Sequence, residues 1–485
     1  MSSQKIQDFI DDSSFNPPPS RAANDPTGVP IFPPEESCGR DFQPFHLQHR
    51  DFKIKALPQE PLELFQLFLP ISLIQSWIEY TNSWVAHLIE NAVIDNWNTP
   101  LTEHSHILKW EGLSTSTAYI WLAIMIYLGI HREKTIRDHW KSPSIGDQRP
   151  LHSIIKFMPL KKFKLITRYF HTFDHTKLDV TNEKDLPKTF QAAKEWSDHI
   201  QKVSLALYLP GTNLTVDKCI IPFIGRSKET TVIKNKPTPV GFKVWAVAQQ
   251  GYFLQWLWHV KASPYKAVIV ELPSAKPYGK KGKLQTEISL NNNLFSSPHL
   301  FRHLRTLGIG ATGTARPNCG ITTTMKQIKE TGKAPDGSTL KYNKAVFIPT
   351  EDNKVIQIAW KDSTIVLFLS TVHSRASHER TPKKRKMPAK RGTKAEQYRL
   401  QEYFNGESFK IISIPTIAAQ YNNEMNHVDR GDQIRSYTTY EHCFRRGPWQ
   451  ALLWSFLLEV ALANSFILQR ETTQPHWKPY ITLKD

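Results

Sequence analysis

Apolar residues recur at helical spacing between residues 59 and 208. PLELFQLFLPISLIQSWIEYTNSWVAHLIENA, TAYIWLAIMIYLGIH and PLKKFKLITRYFHTF each place apolar side chains along one side of a helix. The third stretch mixes its apolar stripe with Lys161, Lys162, Lys164 and Arg168. The apolar segment 118–130 is too short to cross a bilayer and follows a polar run that can cap a helix, so we expect a buried core helix. The pattern predicts a mainly helical domain over residues 59–208.

The pattern changes to short β-like segments near residue 209. LTVDKCIIPF, GFKVWAVAQQ, GYFLQWLWHVK and YKAVIVEL are rich in β-branched and aromatic residues and are separated by Gly or Pro. SPHLFRHLRTLG then predicts a helix, and IGATGTAR a strand or a turn. Two further strand candidates, AVFIPT and KVIQIAWKDSTIVLFLSTVH, lie within 323–373. Strands followed by a helix and a strand predict an α/β sheet domain.

The remaining segments differ from both of these patterns. Residues 1–58 are rich in Pro, Ser, Asp and Asn, which predicts a mostly disordered arm. A basic, Pro-containing run at 374–399 predicts an exposed loop, and RRGPWQALLWSFLLEVALANSFILQR predicts a strongly apolar helix. Six tryptophans lie in apolar segments, and we expect them to be core residues: Trp121, Trp245, Trp256, Trp258, Trp449 and Trp454.

The net charge of +18 favours a polyanionic partner. One basic tail could carry such an excess alone. The run 375–399 holds ten Lys/Arg and two Glu, so it accounts for less than half of the charge. The positive charge is therefore spread over the folded parts as well.

The cysteines give no sign of a metal module. The chain has four of them, and no two form a CxxC pair or a Cys/His cluster. A structural zinc module is not expected, and few, scattered cysteines fit a reducing compartment.

Two segments carry carboxylates that could serve metal-dependent chemistry. Asp217 ends an apolar β-like segment, and fixed carboxylates of this kind hold Mg²⁺ ions astride a phosphate. Taken alone, an Asp at a strand end is more often structural or solvated. Asp429 and Asp432 are three apart in VDRGDQ, so on a helix they share a face. The alternative there is a helix N-terminal turn, where acidic residues favour the helix dipole.

Long ordered motifs resemble the fungal-type piggyBac transposable element-derived proteins, which are DDE/DDD transposases. LTVDKCIIPFIGRSKETTVIKNKPTPVGFKVW resembles the segment around the family's first catalytic Asp, and NNNLFSSPHLFRHLRTLGIGATGTARPN resembles the segment around the second. MNHVDRGDQIRSY resembles the third, and WKDSTIVLFLSTVH the strand pair before it. The resemblance runs from about residue 60 to 470.

The resemblance assigns catalytic positions and shows one departure from the family pattern. It makes Asp217 the first catalytic acid, Asp429 the third, and Asp432 a further acid of the same motif. The second acid falls on Asn292, which has lost the negative charge that a Mg²⁺ site needs. Glu287 and Glu271 lie too far upstream to replace it. The resemblance therefore implies a Mg²⁺ site, held by Asp217 and Asp429, that is weak or lost.

The resemblance also implies an RNase H-like catalytic domain, a mixed sheet flanked by helices, with an inserted β/loop subdomain. On this basis the helical domain binds DNA and dimerises. Residues 209–322 form the first part of the catalytic domain, 323–420 the insertion with its basic loop, and 421–440 the last part. The helix within 441–485 is expected to pack back on the helical domain. A Cys/His-rich zinc module, which some relatives carry, has no counterpart in the sequence.

Basic residues supply candidate contacts to double-stranded DNA at the element's terminal repeats. TPKKRKMPAKRGTK also resembles a nuclear import signal, although packed Lys/Arg can simply lie in solvent. The candidates are Lys234, Lys236, Lys243, Lys383, Lys384, Arg385 and Lys386.

Three functions remain open at this point. The first is a nuclear, transposase-derived DNA-binding protein with impaired strand cleavage and transfer. The second is an active transposase with an altered metal set, and the third is a regulatory protein that binds element ends. The charge lost at Asn292 argues against the second.

Overall fold

A computed structural model of the chain describes residues 32–94, 102–143, 146, 150–177, 186–223, 225, 227, 229–232, 240–260, 286–290, 296–376, 378–388, 394–436 and 449–472. The segment YKAVIVEL, for which a strand is predicted, lies outside these residues, and so does Asn292.

Within the described residues, thirteen strands form three sheets. The central sheet has nine strands in the order β4–β5–β3–β7–β8–β11–β10–β9, with β6 paired to β5, while β1 pairs with β2 and β12 with β13. The strands are β1 (Lys53–Ile54), β2 (Tyr208–Leu209), β3 (Asn213–Pro222), β4 (Thr230–Val232), β5 (Val240–Gln249), β6 (Tyr252–Trp258), β7 (Thr286–Leu290), β8 (Ile309–Thr314), β9 (Ala345–Pro349), β10 (Ile356–Lys361), β11 (Ile365–Ser370), β12 (Arg380–Lys386) and β13 (Phe409–Pro415).

The strand directions define the fold class. β3, β5 and β6 follow one another as antiparallel neighbours, whereas β7 and β8 run parallel to β3 and to each other. In the RNase H-like arrangement, three antiparallel strands come first, and two strands parallel to the first of them then lie on its other side. Here β3, β5 and β6 are the antiparallel strands, and β7 and β8 are the parallel ones. The predicted α/β class and RNase H-like domain are confirmed.

Eleven α-helices surround the sheet in the described part of the chain. Several begin at the side-chain caps that their sequences provide: Ser114, Ser297 and Thr322 each accept a backbone N–H of the first turn. The helices are α1 (Pro61–Phe68), α2 (Ile71–Ile94), α3 (Thr115–Ile130), α4 (Leu160–Tyr169), α5 (Lys188–Leu207), α6 (Pro298–Thr306), α7 (Thr323–Thr331), α8 (Lys394–Tyr403), α9 (Thr416–Glu424), α10 (His427–Ser436) and α11 (Trp449–Glu471).

One hydrophobic core joins the helices to the sheet. It contains Phe68 of α1, Trp77 of α2, Trp196 of α5, Phe242 of β5 and Leu457 of α11. Helix α11 lies against α1, α5 and β6. The predicted helical region is present, but because its main core is shared with the sheet, a distinct N-terminal domain is not shown.

The apolar segment 118–130 lies within α3, where Trp121, Met125 and Leu128 are buried. Among the described residues no single helix is long and apolar enough to cross a membrane, and one bent pair, α1 with most of α2, reaches that length and apolarity only in combination.

The predicted disordered arm is wrong for residues 32–58. Phe32 donates its backbone N–H to Asn318, and Phe45 donates to Thr371 at 2.7 Å, so this segment lies along the sheet domain. Phe42 is 3% exposed. The Pro- and Ser-rich composition concealed this order, because the hydrogen bonds that hold the segment reach distant parts of the chain.

The segment predicted as an insertion joins the central sheet in part, and its basic run is not a loop. Strands β9, β10 and β11, predicted to lie in an insertion over 323–420, extend the central sheet through β8. The basic run predicted as a loop over 374–399 contains β12, which pairs antiparallel with β13 along its whole length. Among the described strands of 323–420, the β12–β13 ribbon is the part that lies outside the central sheet.

Most of the tryptophans expected in the core are buried there. Trp121, Trp256, Trp258 and Trp454 are each at most 6% exposed. Trp245 is the exception, because it is half-buried on a face of the sheet that it shares with Lys243. The side chain of Trp449 lies outside the described residues.

Candidate functional site

Asp217 lies on β3 at the point where the neighbouring parallel strand ends. Val216 pairs with Leu290, the last residue of β7, and Leu290 pairs in turn with Gly313 of β8. Asp217 is 8% exposed and is the next residue along β3. Asn292 follows Leu290 by two positions and lies outside the described residues, so its placement beside Asp217 stays a prediction.

Helices α9 and α10 run alongside the same face of β3. The hydroxyl of Thr215 donates to the backbone carbonyl of Glu424 at 2.6 Å. The Asp432 carboxylate lies close enough to the Cys219 thiol to raise the pKa of that thiol. Thr215, Asp217 and Cys219 point to one face because side chains alternate along a strand. One contact lies at the end of α9 and the other in the second turn of α10. Asp217 lies between them on β3, and is therefore level with the first turn of α10.

Asp429 occupies that first turn of α10 and is exposed. The structure thus brings the first turn of α10 and the Asp217 position of β3 to one region of the sheet. Glycine makes the close approach of α10 possible, because a Cβ atom on Gly431 would lie 2.5 Å from the carbonyl oxygen of Gly251. Close packing of α10 against Gly251 therefore requires glycine at position 431 of the VDRGDQ motif.

Asp432, the further acid of the motif, is held in an ion cluster. Nε of Arg435 donates to Oδ1 of Asp432 at 2.7 Å, and an Nη donates to Oε2 of Glu459 on α11 at 2.8 Å. The guanidinium also lies 5.1 Å from the centroid of the Phe456 ring. Arg435 and Glu459 are 8% and 5% exposed. The cluster ties α10 to α11, so Asp432 acts as a structural group in this arrangement.

Charges and burial shift the ionisation of this cluster. Burial lowers the pKa of Arg435, but the charges of Asp432 and Glu459 outweigh it and the net pKa is raised. Burial raises the pKa of the Cys219 thiol, and the negative charge of Asp432 adds to that shift. Glu459 had no place among the sequence candidates. Its signal is an acidic residue in the middle of the apolar helix WQALLWSFLLEVALANSFILQRE.

The basic candidates near Asp217 are separated from it or lie outside the described residues. Lys234 and Lys236 lie outside them. Lys243 pairs with Ile220 and therefore projects from the opposite face of the sheet to Asp217. Its Nζ lies 3.8 Å from the centroid of the Trp245 ring, and burial, helped by the charge of Lys218, lowers the pKa of Lys243 to about 8.

The basic run on β12 splits between inner and outer positions. Arg385 forms an ion pair with Asp362 at 2.6 Å, and its guanidinium lies 5.5 Å from the Trp360 ring. Lys383 donates to Oδ1 of Asn423 at 2.9 Å. Lys384 and Lys386 are exposed on the outer face of the ribbon. Two of the four candidate DNA contacts are therefore engaged within the protein.

The donors in the described residues do not fit a complete divalent-metal site. Two carboxylates, Asp217 and Asp429, come from the metal-binding motifs, while Asp432 already binds Arg435. No group of three or more His, Cys, Asp or Glu side chains in the described ranges is placed to hold a metal ion. A two-ion arrangement would need a further acid, and the sequence comparison predicts Asn292 at that position.

Comparisons with known proteins give the family. The family model described as "Transposase IS4" matches residues 60–466. The chain is 21% identical over 430 residues to human PiggyBac transposable element-derived protein 3, covering 84% of this chain and 61% of that one. It is 21% identical over 431 residues to human PiggyBac transposable element-derived protein 2, covering 86% and 62%. The chain thus spans less than two thirds of the length of these relatives.

A solved structure shares the fold. The cryo-EM structure of a piggyBac transposase synaptic complex with hairpin DNA matches with a TM-score of 0.58 and 16% identity, covering 85% of this chain and 75% of that one. Since the family model spans most of the sequence and the relatives are of one type, the chain belongs to the Transposase IS4 family, among its piggyBac-type members.

Proposed function

We propose that this protein is a piggyBac transposase-derived DNA-binding protein whose strand cleavage and transfer are impaired. The observation that carries the proposal is the register of β3 and β7. Leu290 lies beside Val216, so the chain leaves β7 at the level of Asp217 and reaches Asn292 two residues later. In the family pattern the second acid falls on Asn292. This position comes two residues after the end of β7, the strand that pairs with β3 beside Asp217.

The chemical reason for impairment is a missing negative charge. Transposases of this type generally use a divalent metal, and carboxylate charge offsets the cost of dehydrating Mg²⁺. An amide keeps one carbonyl oxygen as a ligand but contributes no charge. Asp432 is a poor replacement because it would have to leave Arg435 inside a buried cluster. The retained pair, Asp217 and Asp429, would hold Mg²⁺ weakly.

The proposed partner is double-stranded DNA at the terminal repeats of an element. The net charge of +18 supports an electrostatic attraction to phosphates. The solved neighbour is a synaptic complex with hairpin DNA, which supports the same class of partner. Binding as a homodimer is part of the proposal.

The proposed location is the nucleus. Lys384 and Lys386 are exposed on β12, where an import receptor could reach them. Deleting the segment would remove a strand, so charge removal is the better test. A tagged Lys384→Gln/Lys386→Gln variant should leave the nucleus. The fold control is the variant Lys341→Gln/Lys344→Gln, which removes two other exposed lysines and should keep the wild-type location.

The main test is a cleavage assay with Mg²⁺ or Mn²⁺ on DNA that carries the cognate ends. Wild-type protein should not nick this DNA. Asn292→Asp should restore a metal-dependent rise in melting temperature and, if the other groups are intact, nicking. Asn292→Asp/Asp217→Asn is the matched control and should lose both gains. Robust cleavage by the wild type would instead establish an active enzyme with an altered metal set.

A further inference from the structure

Helix α4 carries an exposed row of positive side chains. Lys161, Lys164 and Arg168 are all exposed. At 100° per residue they fall within about 60° of one another around the helix, and they span about 10 Å along it. Phe163 and Ile166, on the opposite side, are buried. The helix thus faces the core with apolar groups and presents a single cationic face outward.

No acidic residue lies within α4 or directly beside it in the sequence. Residues 150–173 contain no Asp or Glu. In the described part of the chain the ion pair recorded for α4 joins its flanking Lys162 to Glu111 at 3.9 Å, and Glu111 is highly exposed. Exposed like charges that are not neutralised locally repel one another, so the row is stabilised by a polyanion.

The helix is held firmly by the protein beneath it. The indole N–H of Trp121 donates to the Thr167 hydroxyl at 3.0 Å. Trp140 stacks near Phe163 with ring centroids 5.1 Å apart and donates its indole N–H to the carbonyl of Met158 at 2.8 Å. The positive charges therefore sit on a fixed surface, which limits the entropy lost when they bind a partner.

We propose that Lys161, Lys164 and Arg168, the α4 basic face, contact the phosphodiester backbone of duplex DNA. The proposal rests on the proposed DNA-binding function and names a surface for it. A helix that binds a bilayer surface inserts an apolar face, whereas the apolar face of α4 is used by the core. Backbone contacts place the protein on the duplex without reading its sequence. Exposed Lys156 and Phe157 extend this surface beyond the N-terminus of the helix.

The test measures binding of full-length protein to a mixed-sequence DNA duplex by fluorescence anisotropy over a range of salt concentrations. Lys161→Gln/Lys164→Gln/Arg168→Gln removes three positive charges from exposed positions. The slope of log K against log salt should fall in magnitude by roughly 2.7, and affinity near physiological salt should fall about 100-fold. The matched control, Lys333→Gln/Lys341→Gln/Lys344→Gln, removes the same charge elsewhere on the exposed surface. It should keep the wild-type slope.

The outcomes separate this proposal from the proposed function. A wild type that binds DNA with a steep salt slope shared by the α4 variant overturns the α4 surface and leaves the proposed function standing. Equal losses in both triple variants indicate a general charge effect and also overturn it. A wild type with no salt-dependent binding refutes both. Loss of binding to phosphatidylserine vesicles, with DNA binding intact, identifies a membrane partner and refutes the DNA assignment. Unchanged melting temperatures verify that both variants are folded.

Discussion

The ion cluster under α10 and the basic strand β12 use the same residue types in opposite ways. Arg435 is 8% exposed and bridges two carboxylates from two helices, so its charge holds the fold together. On β12, Lys384 and Lys386 face solvent, whereas Arg385 pairs with an opposite charge, Asp362. The sequence of β12 contains more charged residues per length, but the buried ion pairs are those of Arg435 with Asp432 and Glu459. Burial therefore decides whether a charged residue serves stability or remains available to a partner.

The largest effect should come from removing the buried cation. Arg435→Met leaves Asp432 and Glu459 without their partner in a buried setting, which should lower the free energy of unfolding by about 3–5 kcal/mol. Urea denaturation measures this. The triple variant Arg435→Met/Asp432→Leu/Glu459→Leu should recover most of the loss, because no uncompensated charge remains. A small effect of Arg435→Met would show that the cluster is not a structural element.

The two acids of the VDRGDQ motif should separate clearly. Asp432→Asn weakens a partly buried ion pair and should cost about 2 kcal/mol, whereas Asp429→Asn at an exposed first-turn position should cost less than about 0.5 kcal/mol. Thermal and urea unfolding of the two variants provide the comparison. Equal costs would contradict the division between the clustered carboxylate of Asp432 and the exposed carboxylate of Asp429.

A half-buried histidine, with no carboxylate among the causes of its pKa shift, extends the comparison to pH. Burial lowers the pKa of His171 to about 4, and the charges of His175 and Lys188 act in the same direction. Its stacking partner is Trp84, at 4.6 Å between ring centroids. Because the unfolded pKa is about 6.5, the unfolded state binds the proton first as pH falls. The contribution of His171 to stability is therefore complete above pH 6.5 and declines on the way to pH 4. Because solvent screens the half-buried ring, we expect a loss on the order of 1–2 kcal/mol, smaller than the full pKa shift would give.

His171→Phe tests this pH effect while keeping an aromatic ring against Trp84. Its unfolding free energy should fall less than that of the wild type between pH 6.5 and pH 4. The exposed His303→Phe variant serves as control and should follow the wild-type curve. Parallel curves for wild type and His171→Phe would contradict the assignment.

The smallest effects should appear on the ribbon. Arg385→Gln breaks a half-exposed pair with Asp362 and should cost about 1 kcal/mol, while Lys384→Gln should leave stability unchanged within about 0.5 kcal/mol. Salt should reduce the Arg385 effect because such pairs are screened. If Lys384→Gln proved the more destabilising change, the inward and outward assignment of β12 would be reversed.

Sequence patterns predicted many of the elements because their signals are local. Helical spacing located α3 and α4, and β-rich segments between Gly and Pro located β3, β5 and β6. Prediction missed β12, because RTPKKRK shows no apolar alternation even though its residues alternate between the inner and outer faces. It also missed the order of residues 32–58, whose hydrogen bonds reach strands and loops far along the chain.

The candidate site shows the same limit. Motifs identified Asp217, Asn292, Asp429 and Asp432. The structure brings the first turn of α10, which carries Asp429, to the region of β3 that carries Asp217. The placement of Asn292 stays a prediction. The motifs could not separate Asp432 from Asp429. That distinction depends on Arg435 and on Glu459, which lies 24 residues further along the chain.

The sequence by itself determined the family motifs, the net charge and the amide at position 292, since these are properties of residue identity and order. Tertiary structure decided which charges are available. It paired Arg435 with two acids, turned Lys243 away from the face that carries Asp217, and left Lys161, Lys164 and Arg168 exposed on α4. The physical reason is that the interaction energy of a charged side chain depends on its exposure to solvent and on the charges around it, and folding sets both.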